Sequence, residues 1–233
     1  MASLDNNVNT NTPASQPVGS NTGVQTPTTV TLRTPSTNRK DVQAGSTEET
    51  NTWQPPSLNW LARTWTVTHS TLPMWRKAKN VRITYKLIPC PSSTSSSPDV
   101  DKDTLIDDEV TSEPTAKTLL PQPKSICGID TPDHSVPGGG AWNWRGKGWL
   151  KIASSHWEIL GWGEFEGEKW VLTWFEKSIF TPAGVDLYSE RKGGVSERLL
   201  GEVRRVLREG KAGEGVRELC KGEELFAVVI DDA

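Results

Sequence analysis

The sequence predicts an all-β protein: an eight-stranded antiparallel up-and-down barrel with one C-terminal helix before the last strand. Three observations favour this fold class. Short runs alternate apolar and polar residues, which is typical of half-buried strands. Turn-forming residues separate most of these runs closely enough for hairpins, and eight such strands can close into a barrel that has no exposed edge. An eight-stranded sandwich is the alternative, but its Greek-key connections usually need longer crossovers.

The N-terminal region has the composition of a disordered tail. Residues 1–52 are almost all Thr, Asn, Ser, Pro, Gln and Gly, which cannot bury enough apolar surface to offset the entropy lost on ordering. We therefore expect a disordered tail over 1–52 and one barrel domain over 53–233. A second polar tract, at about 90–122, is rich in Ser and Pro and then acidic. Because it lies between two strand-like runs, we expect a disordered loop insertion within the domain.

The strand-like runs follow one another until the period changes near the C-terminus. In VSERLLGEVRRVLREG the apolar residues share one face of a helix, and Gly210 is placed to end it. The run ELFAVVI then predicts a buried closing strand. The other predicted strands are Thr64–Ser70, Asn80–Ile88, Ser125–Asp130, Ala141–Ala153, His156–Gly163, Lys169–Lys177 and Val185–Ser189.

Charge and composition narrow the function. A net charge of -3 gives no support for nucleic-acid binding, which needs a basic face. No run reaches the length of a membrane span, and the N-terminus lacks the basic and apolar regions of a secretory signal. The 3 cysteines are odd in number and widely spaced, so we expect a cytoplasmic protein. We find no metal-ligand spacing and no catalytic or nucleotide motif, so we expect no metal and no cofactor.

The order of elements resembles that of the lipocalins, in the calycin superfamily. Trp65 on the first strand, then a loop with Pro, then NVRITY on the second strand, is similar to the opening of lipocalins. Their first motif is Gly-x-Trp, and Arg63 stands here in place of the glycine. The resemblance covers roughly 58–231 and implies that an Arg after the seventh strand covers Trp65 at the closed end of the barrel; Arg191 is the candidate. The strings THSTLPMW and FTPAG also resemble those of fungal cytosolic proteins of unknown role.

The 11 tryptophans and the strand phases predict an aromatic cavity. Side chains on one face of a strand recur every second residue, so if Trp65 faces inward, His69 does as well. In the run Ala141–Ala153 we expect the face of Trp142 and Ile152 to point inward, and in Lys169–Lys177 the face of Trp170 and Leu172. The run HWEILGWG is ambiguous, and we favour Trp157, Ile159 and Gly161 because the other phase carries a charge. Trp75 lies in the first long loop, which would form a flap. The expected ligand-binding residues are His69, Trp75, Tyr85, Trp144, Trp157 and Trp174.

The leading hypothesis is therefore non-enzymatic binding or transport of a small hydrophobic molecule, fatty acid-like or aromatic, inside the barrel. An interior filled by tryptophan side chains is the alternative for the same residues. A second hypothesis is a barrel enzyme of the isomerase or dehydratase type, with His69, Tyr85 and Glu158 as its general acid and base groups. A third is a Trp-rich module for carbohydrate or protein, which needs several exposed coplanar indoles.

Overall fold

The computed structural model describes residues 29–36, 53–88, 103–116, 124–222 and 224–231. Eight antiparallel strands close into an up-and-down barrel, because β1 pairs with both β2 and β8. The predicted barrel with a C-terminal helix is confirmed. Its strands are β1 (Thr64–Ser70), β2 (Ala78–Ile88), β3 (Leu105–Pro114), β4 (Lys124–Pro132), β5 (Ala141–Gly146), β6 (Ser154–Phe165), β7 (Glu168–Phe175) and β8 (Gly184–Ser189), followed by a short β9 (Phe226–Ala227). The helices are α1 (Leu58–Leu61), α2 (Glu197–Arg208) and α3 (Glu214–Leu219), with 3₁₀ helices at Pro73–Lys77 and Gly148–Ile152.

The eight barrel strands are not the eight that the sequence predicts. Strand β3 lies inside the tract expected to be a disordered insertion, and it pairs along its length with β2 and β4. Its inward positions include Asp108, so a carboxyl group interrupts the apolar phase that would have marked a strand. The expected closing strand is only the two-residue β9, which pairs with the end of β1. The parts of the insertion at 89–102 and 117–123 lie outside the described residues.

A short segment of the expected tail packs on the barrel. Residues 29–36 are extended, with Val30 and Leu32 buried in the core outside the barrel. The backbone N–H of Arg33 donates to the carbonyl of Leu160 at 2.8 Å. Two apolar residues among threonines were too weak a pattern to predict this contact. The remainder of the tail, 1–28 and 37–52, lies outside the described residues.

Helix α2 covers the outside of the barrel with the face that the sequence predicts. Ser196 caps its N-terminus, accepting a hydrogen bond from the backbone N–H of Leu199. Gly210 follows the helix with φ of 73°, a conformation in which glycine is favoured. None of the helices in the described ranges is long and apolar enough to cross a membrane. The buried residues of α2 are Leu199, Leu200, Val203, Val206 and Leu207.

The apolar side chains divide into two cores separated by the barrel wall. The lumen holds Trp65, Val67 and Val171 among others. The outer core lies between α2 and the outer face of β6 to β8. The prediction that Trp170, Leu172 and Trp174 face the lumen is wrong, because these three residues belong to the outer core. Both phases of β7 are mostly buried and contain large apolar residues, so periodicity does not decide which one faces inward.

Two β-bulges change the phase of strands that carry predicted site residues. In β1 the register shifts between Val67 and His69, so His69 pairs with the outward-facing Leu187. In β6 a shift between Ile159 and Gly161 turns Gly161 outward, where a Cβ atom would lie 2.4 Å from the side chain of Leu32. The predictions of inward positions for His69 and Gly161 are therefore wrong.

Candidate functional site

The closed end of the barrel is plugged by indoles. Trp65 stacks at a tilt on Trp60 with ring centroids 5.3 Å apart, and Trp60 meets the edge of Trp162 at 4.9 Å. The indole N–H of Trp65 donates to the carbonyl of Leu61 at 2.9 Å. Trp65 has no exposed surface, so it closes this end as the lipocalin resemblance implies.

The arginine over Trp65 is Arg63, which corrects the role expected for Arg191. The guanidinium carbon of Arg63 lies 5.4 Å from the centroid of Trp65. Arg63 forms a 3.0 Å ion pair with Glu190, whereas Arg191 forms one with Glu168 at 3.1 Å. Thr66 pairs with Ser189, so the position opposite Trp65 holds the acidic Glu190. That carboxylate instead positions Arg63, which lies just before β1.

A stack of three rings fills the middle of the lumen. The rings of Tyr85 and Trp157 are nearly parallel, at 6° and 5.6 Å between centroids. Trp142 lies on the other side of Trp157 at 4.5 Å and 21°. The indole N–H of Trp157 donates to Asp130 at 2.8 Å, which fixes the orientation of the ring.

Above this stack a pocket of about 490 Å³ opens at the other end of the barrel. Four of the six predicted ligand-binding residues line it together: Trp75, Tyr85, Trp144 and Trp157. Trp75 enters from the 3₁₀ helix between β1 and β2, as expected for a flap. The volume lies within the range of small-molecule pockets. The interior is thus packed at one end and open at the other.

Trp144 reaches the pocket wall because β4 has a glycine beneath it. A Cβ atom at Gly128 would lie 2.1 Å from the indole nitrogen of Trp144. The neighbouring strand therefore provides the space that the indole occupies.

The other two predicted ligand-binding residues lie outside the lumen. His69 faces outward because of the bulge in β1, and burial, together with the charge of Arg204, lowers its pKa to about 4. Trp174 is in the outer core, where its ring lies 6.4 Å from that of His156. Neither residue lines the pocket.

The pocket mouth has an apolar rim formed by three loops. Trp149 and Ile152 follow β5 and are 86% and 80% exposed, so the inward position predicted for Ile152 is wrong. Phe180 from the loop after β7 is 61% exposed, and Met74 from the flap is 44% exposed. The four side chains line the upper part of the pocket and give a ligand an apolar entrance.

Three buried aspartates are the lumenal residues that sequence reasoning missed. Asp186 accepts hydrogen bonds from the hydroxyl of Ser70 at 2.5 Å and from the indole of Trp75 at 3.2 Å. Asp130 is bonded to Trp157, and Asp108 lines the pocket with one oxygen lacking a partner among the described residues. Each aspartate is in phase with inward residues of its strand, a signal that could have been read from the sequence. A charged residue at an inward position is unexpected, however, so the phase alone does not predict that these aspartates face the lumen.

The environment of these carboxyl groups favours their neutral forms. Burial raises the pKa of Asp186 to about 7, although the bonds from Ser70 and Trp75 oppose the shift. Burial likewise raises the pKa of Asp130, with the bond from Trp157 acting in the opposite direction. The pKa of Asp108 is raised well above its usual range by burial and then by the charge of Asp130.

Tyr188 adds a phenol to the same face. The residue is fully buried and lines the pocket, and its hydroxyl makes no hydrogen bond of good geometry with the described residues. Burial, followed by the charge of Asp186, raises its pKa well above the usual value. The same holds for its neighbour Tyr85, where burial is again the largest cause. Both phenols are therefore neutral donors at the pocket.

The structure separates the residues of the hypothetical enzyme. Tyr85 is lumenal, whereas Glu158 is on the outer wall, where Arg33 contacts it at 2.9 Å. Burial opposes the charge of Glu158, but bonds from His156 and Ser36 outweigh it and lower its pKa. With His69 also outside, the three groups do not share a reaction site. Within the described ranges, no group of three His, Cys, Asp or Glu residues could hold a metal ion.

The tryptophans do not form an exposed binding platform. All 11 lie in described residues, and Trp149 is the only exposed one. The Trp-rich surface module of the third hypothesis needs several exposed coplanar indoles, which these residues do not provide.

No family model and no curated protein matches the chain. Among solved structures it is similar to lobster apocrustacyanin A1, with a TM-score of 0.44 and 11% identity over 88% of this chain and 93% of that one. Apocrustacyanin C1 gives 0.45 and 13% over 89% and 94%. The siderocalin Ex-FABP, described as functioning through dual ligand specificities, gives 0.37 and 14% over 74% and 95%. The lipocalin-like fold rests on the strand order of the barrel itself, and these likenesses carry no argument about function.

Proposed function

We propose that the protein binds a small hydrophobic ligand in the open half of its barrel. The observation that carries this proposal is the aromatic pocket above the ring stack, formed by Trp75, Tyr85, Trp144 and Trp157. Pockets of this kind are mostly apolar, with a few polar groups that fix the orientation of the ligand. Asp108, Asp186 and Tyr188 are such groups here.

The closed end supports the same function. The indole plug at Trp65 and the stack on Trp157 prevent a ligand from passing through the barrel, so the ligand enters and leaves by the mouth. The apolar rim at Trp149 and Phe180 lies on that path. A chain or ring system longer than the pocket can therefore keep apolar contacts at the entrance.

The test is binding of the neutral fluorescent probe N-phenyl-1-naphthylamine. We expect saturable enhancement of its emission by the wild type. Filling the pocket by Val110→Trp should weaken binding at least about tenfold, because Val110 lines the pocket and a larger side chain displaces the ligand. Thr111→Trp is the matched control, since Thr111 is the next residue of β3 and its side chain is on the opposite face.

A second control separates the two cores. Trp174→Phe alters the outer core and should leave probe affinity unchanged. If the wild type binds no probe, or if Val110→Trp binds it as tightly as Thr111→Trp, lumenal ligand binding is refuted.

A further inference from the structure

The pocket contains carboxyl groups but no basic side chain. Asp108 and Asp186 line the pocket, and Asp130 accepts a hydrogen bond from the indole N–H of Trp157, another lining residue. None of the described residues that line the pocket is Lys, Arg or His. Asp108 is 7% exposed, and the other two are more deeply buried. The pocket therefore has several potential negative charges and, among its described lining residues, no cation to neutralise them.

Such a cluster is costly unless something compensates it. A buried carboxylate loses its hydration, and it regains that free energy only from a cation or from hydrogen bonds that satisfy its oxygens. Asp186 has two donors, whereas one oxygen of Asp130 and one of Asp108 have no hydrogen-bond partner among the described residues. In the empty pocket a proton can neutralise the groups. A ligand that carries positive charge can do the same.

An independent polar group points into the same space. Tyr188 lines the pocket and has no exposed surface, and its hydroxyl has only poorly aligned partners, the side chains of Thr173 and Tyr85. A buried hydroxyl is normally well paired, so one that has no partner of good geometry can turn to a bound molecule.

The walls favour a positive charge as well. The aromatic rings of Trp75, Trp144, Trp157 and Tyr85 line the pocket, and a cation is attracted to any aromatic face that it can reach. An ammonium group between a carboxylate and these rings would gain both interactions. A carboxylate ligand would instead add another negative charge next to Asp108 and Asp186.

We propose that the lumenal ligand is a hydrophobic organic cation, an amine on an aromatic or aliphatic body, whose ammonium group is bound by Asp108 and Asp186. This proposal rests on lumenal ligand binding and narrows its chemistry. The apolar body lies against the tryptophans and extends toward Trp149 and Phe180 at the mouth. A fatty acid-like ligand, which is one of the two classes expected from the sequence, is disfavoured by the same charges.

The test compares three probes that differ only in their polar group: 1-naphthylmethylamine, 1-naphthylmethanol and 1-naphthoate. Isothermal titration calorimetry at neutral pH should show the amine binding at least about tenfold more tightly than the alcohol, the ratio for one charge-assisted hydrogen bond. The carboxylate should bind most weakly. Equal affinity for amine and alcohol, or tighter binding of the carboxylate, would overturn the cation proposal and leave lumenal binding standing.

Variants locate the charge recognition. Asp108→Asn and Asp186→Asn should each reduce amine affinity about tenfold and change alcohol affinity less than about threefold. Asp107→Asn is the matched control, because Asp107 is adjacent to Asp108 but pairs with Lys147 on the outer face. Loss of affinity for all three probes alike in the Asn variants would show a packing effect and overturn the proposal.

The two proposals fail differently. If N-phenyl-1-naphthylamine binds to the wild type but the amine does not, the cation proposal is wrong and the pocket still binds apolar ligands. If neither molecule binds, lumenal binding itself is wrong.

Discussion

Arg63 lies against the indole of Trp65, with its guanidinium carbon 5.4 Å from the ring centroid. The same guanidinium forms a 3.0 Å ion pair with Glu190. The resemblance to lipocalins implies an arginine from beyond the seventh strand in this place, but Arg191 is paired with Glu168. Opposite Trp65 the chain has the acidic Glu190, which cannot cover the indole as an arginine would and instead pairs with Arg63. The charge over Trp65 comes from Arg63, just before β1, and its counterion is Glu190, just after β8.

This arrangement predicts energetic coupling between Arg63 and Trp65. In a double-mutant cycle, Arg63→Ala and Trp65→Phe should show a coupling free energy of about 0.5–1 kcal/mol, typical of a cation against an aromatic ring. Arg191→Ala and Trp65→Phe should be additive within about 0.5 kcal/mol, because the two residues share no contact. Urea unfolding followed by circular dichroism measures both cycles. Coupling of Trp65 to Arg191 rather than to Arg63 would contradict the structure.

The second prediction concerns the extended segment at 29–36. Arg33 donates to the carbonyls of Ile159 and Gly140 at 2.7 and 2.9 Å and contacts Glu158 at 2.9 Å. Arg33→Ala should destabilise the protein by about 3 kcal/mol, because it removes the ion-pair partner of a fully buried carboxylate, Glu158. The free energy of unfolding in urea measures the effect.

Two further variants test the cause of this loss. Thr31→Ala, at an exposed position of the same segment, should change the stability by less than about 0.5 kcal/mol. Adding Glu158→Gln to Arg33→Ala should restore part of the stability, since the unpaired charge is then removed. If Arg33→Ala is as mild as Thr31→Ala, the segment does not dock on the barrel in solution.

The sequence predicts much of the lumen because alternation and burial agree there. Trp65, Tyr85 and Trp157 are inward as expected. Alternating apolar residues mark the inward face of β2, and in β6 a charged residue on the other phase favours the phase of Trp157. The predictions for His69 and Gly161 are wrong because a bulge adds a residue to one strand, and the period gives no sign of it. Trp174 was misplaced for another reason, since helix α2 buries the outer face of β7 as fully as the lumen buries the inner one.

The sequence does not predict the polar residues of the candidate site, for a different reason. Asp108, Asp130 and Asp186 occupy inward positions, where charged residues are rare unless they serve a function. The Ser, Pro and acidic residues of the tract at about 90–122 predict a disordered insertion, and Asp108 lies within it. Which carboxyl groups meet depends on strand pairing across the barrel, and that pairing is not contained in any one strand pattern.

The third prediction uses two glycines with opposite expected outcomes. Gly128→Ala should destabilise the protein by about 1–3 kcal/mol, because the new Cβ atom would overlap the indole of Trp144, 2.1 Å away. Gly201→Ala, within α2 and with open space around it, should stabilise by about 0.5–1 kcal/mol through helix propensity. Thermal unfolding compares the two variants. Only Gly128→Ala should also weaken binding of N-phenyl-1-naphthylamine, and equal binding by both variants would show that Trp144 does not form the pocket wall.

The last prediction is a dependence of stability on pH that comes from Asp186. Burial raises the pKa of this carboxyl to about 7 in the folded state, so the folded protein holds the proton over a range in which the unfolded chain has released it. The contribution to stability is fully present below the unfolded pKa of about 3.9 and is lost as the pH rises through 7. Tyr188, the titratable neighbour, stays neutral throughout because its own pKa is raised.

Asp186→Asn isolates this contribution from the other ionisable groups. The difference in unfolding free energy between wild type and variant should move against the wild type by about 3 kcal/mol between pH 5 and pH 8, the amount that the shifted pKa implies. The constant cost of replacing a hydrogen-bonded side chain cancels in this comparison, because it does not vary with pH. Urea unfolding at several pH values gives the profile. A flat difference would mean that Asp186 ionises normally in the folded barrel, and a difference that favours the wild type at high pH would mean that a cation compensates the carboxylate.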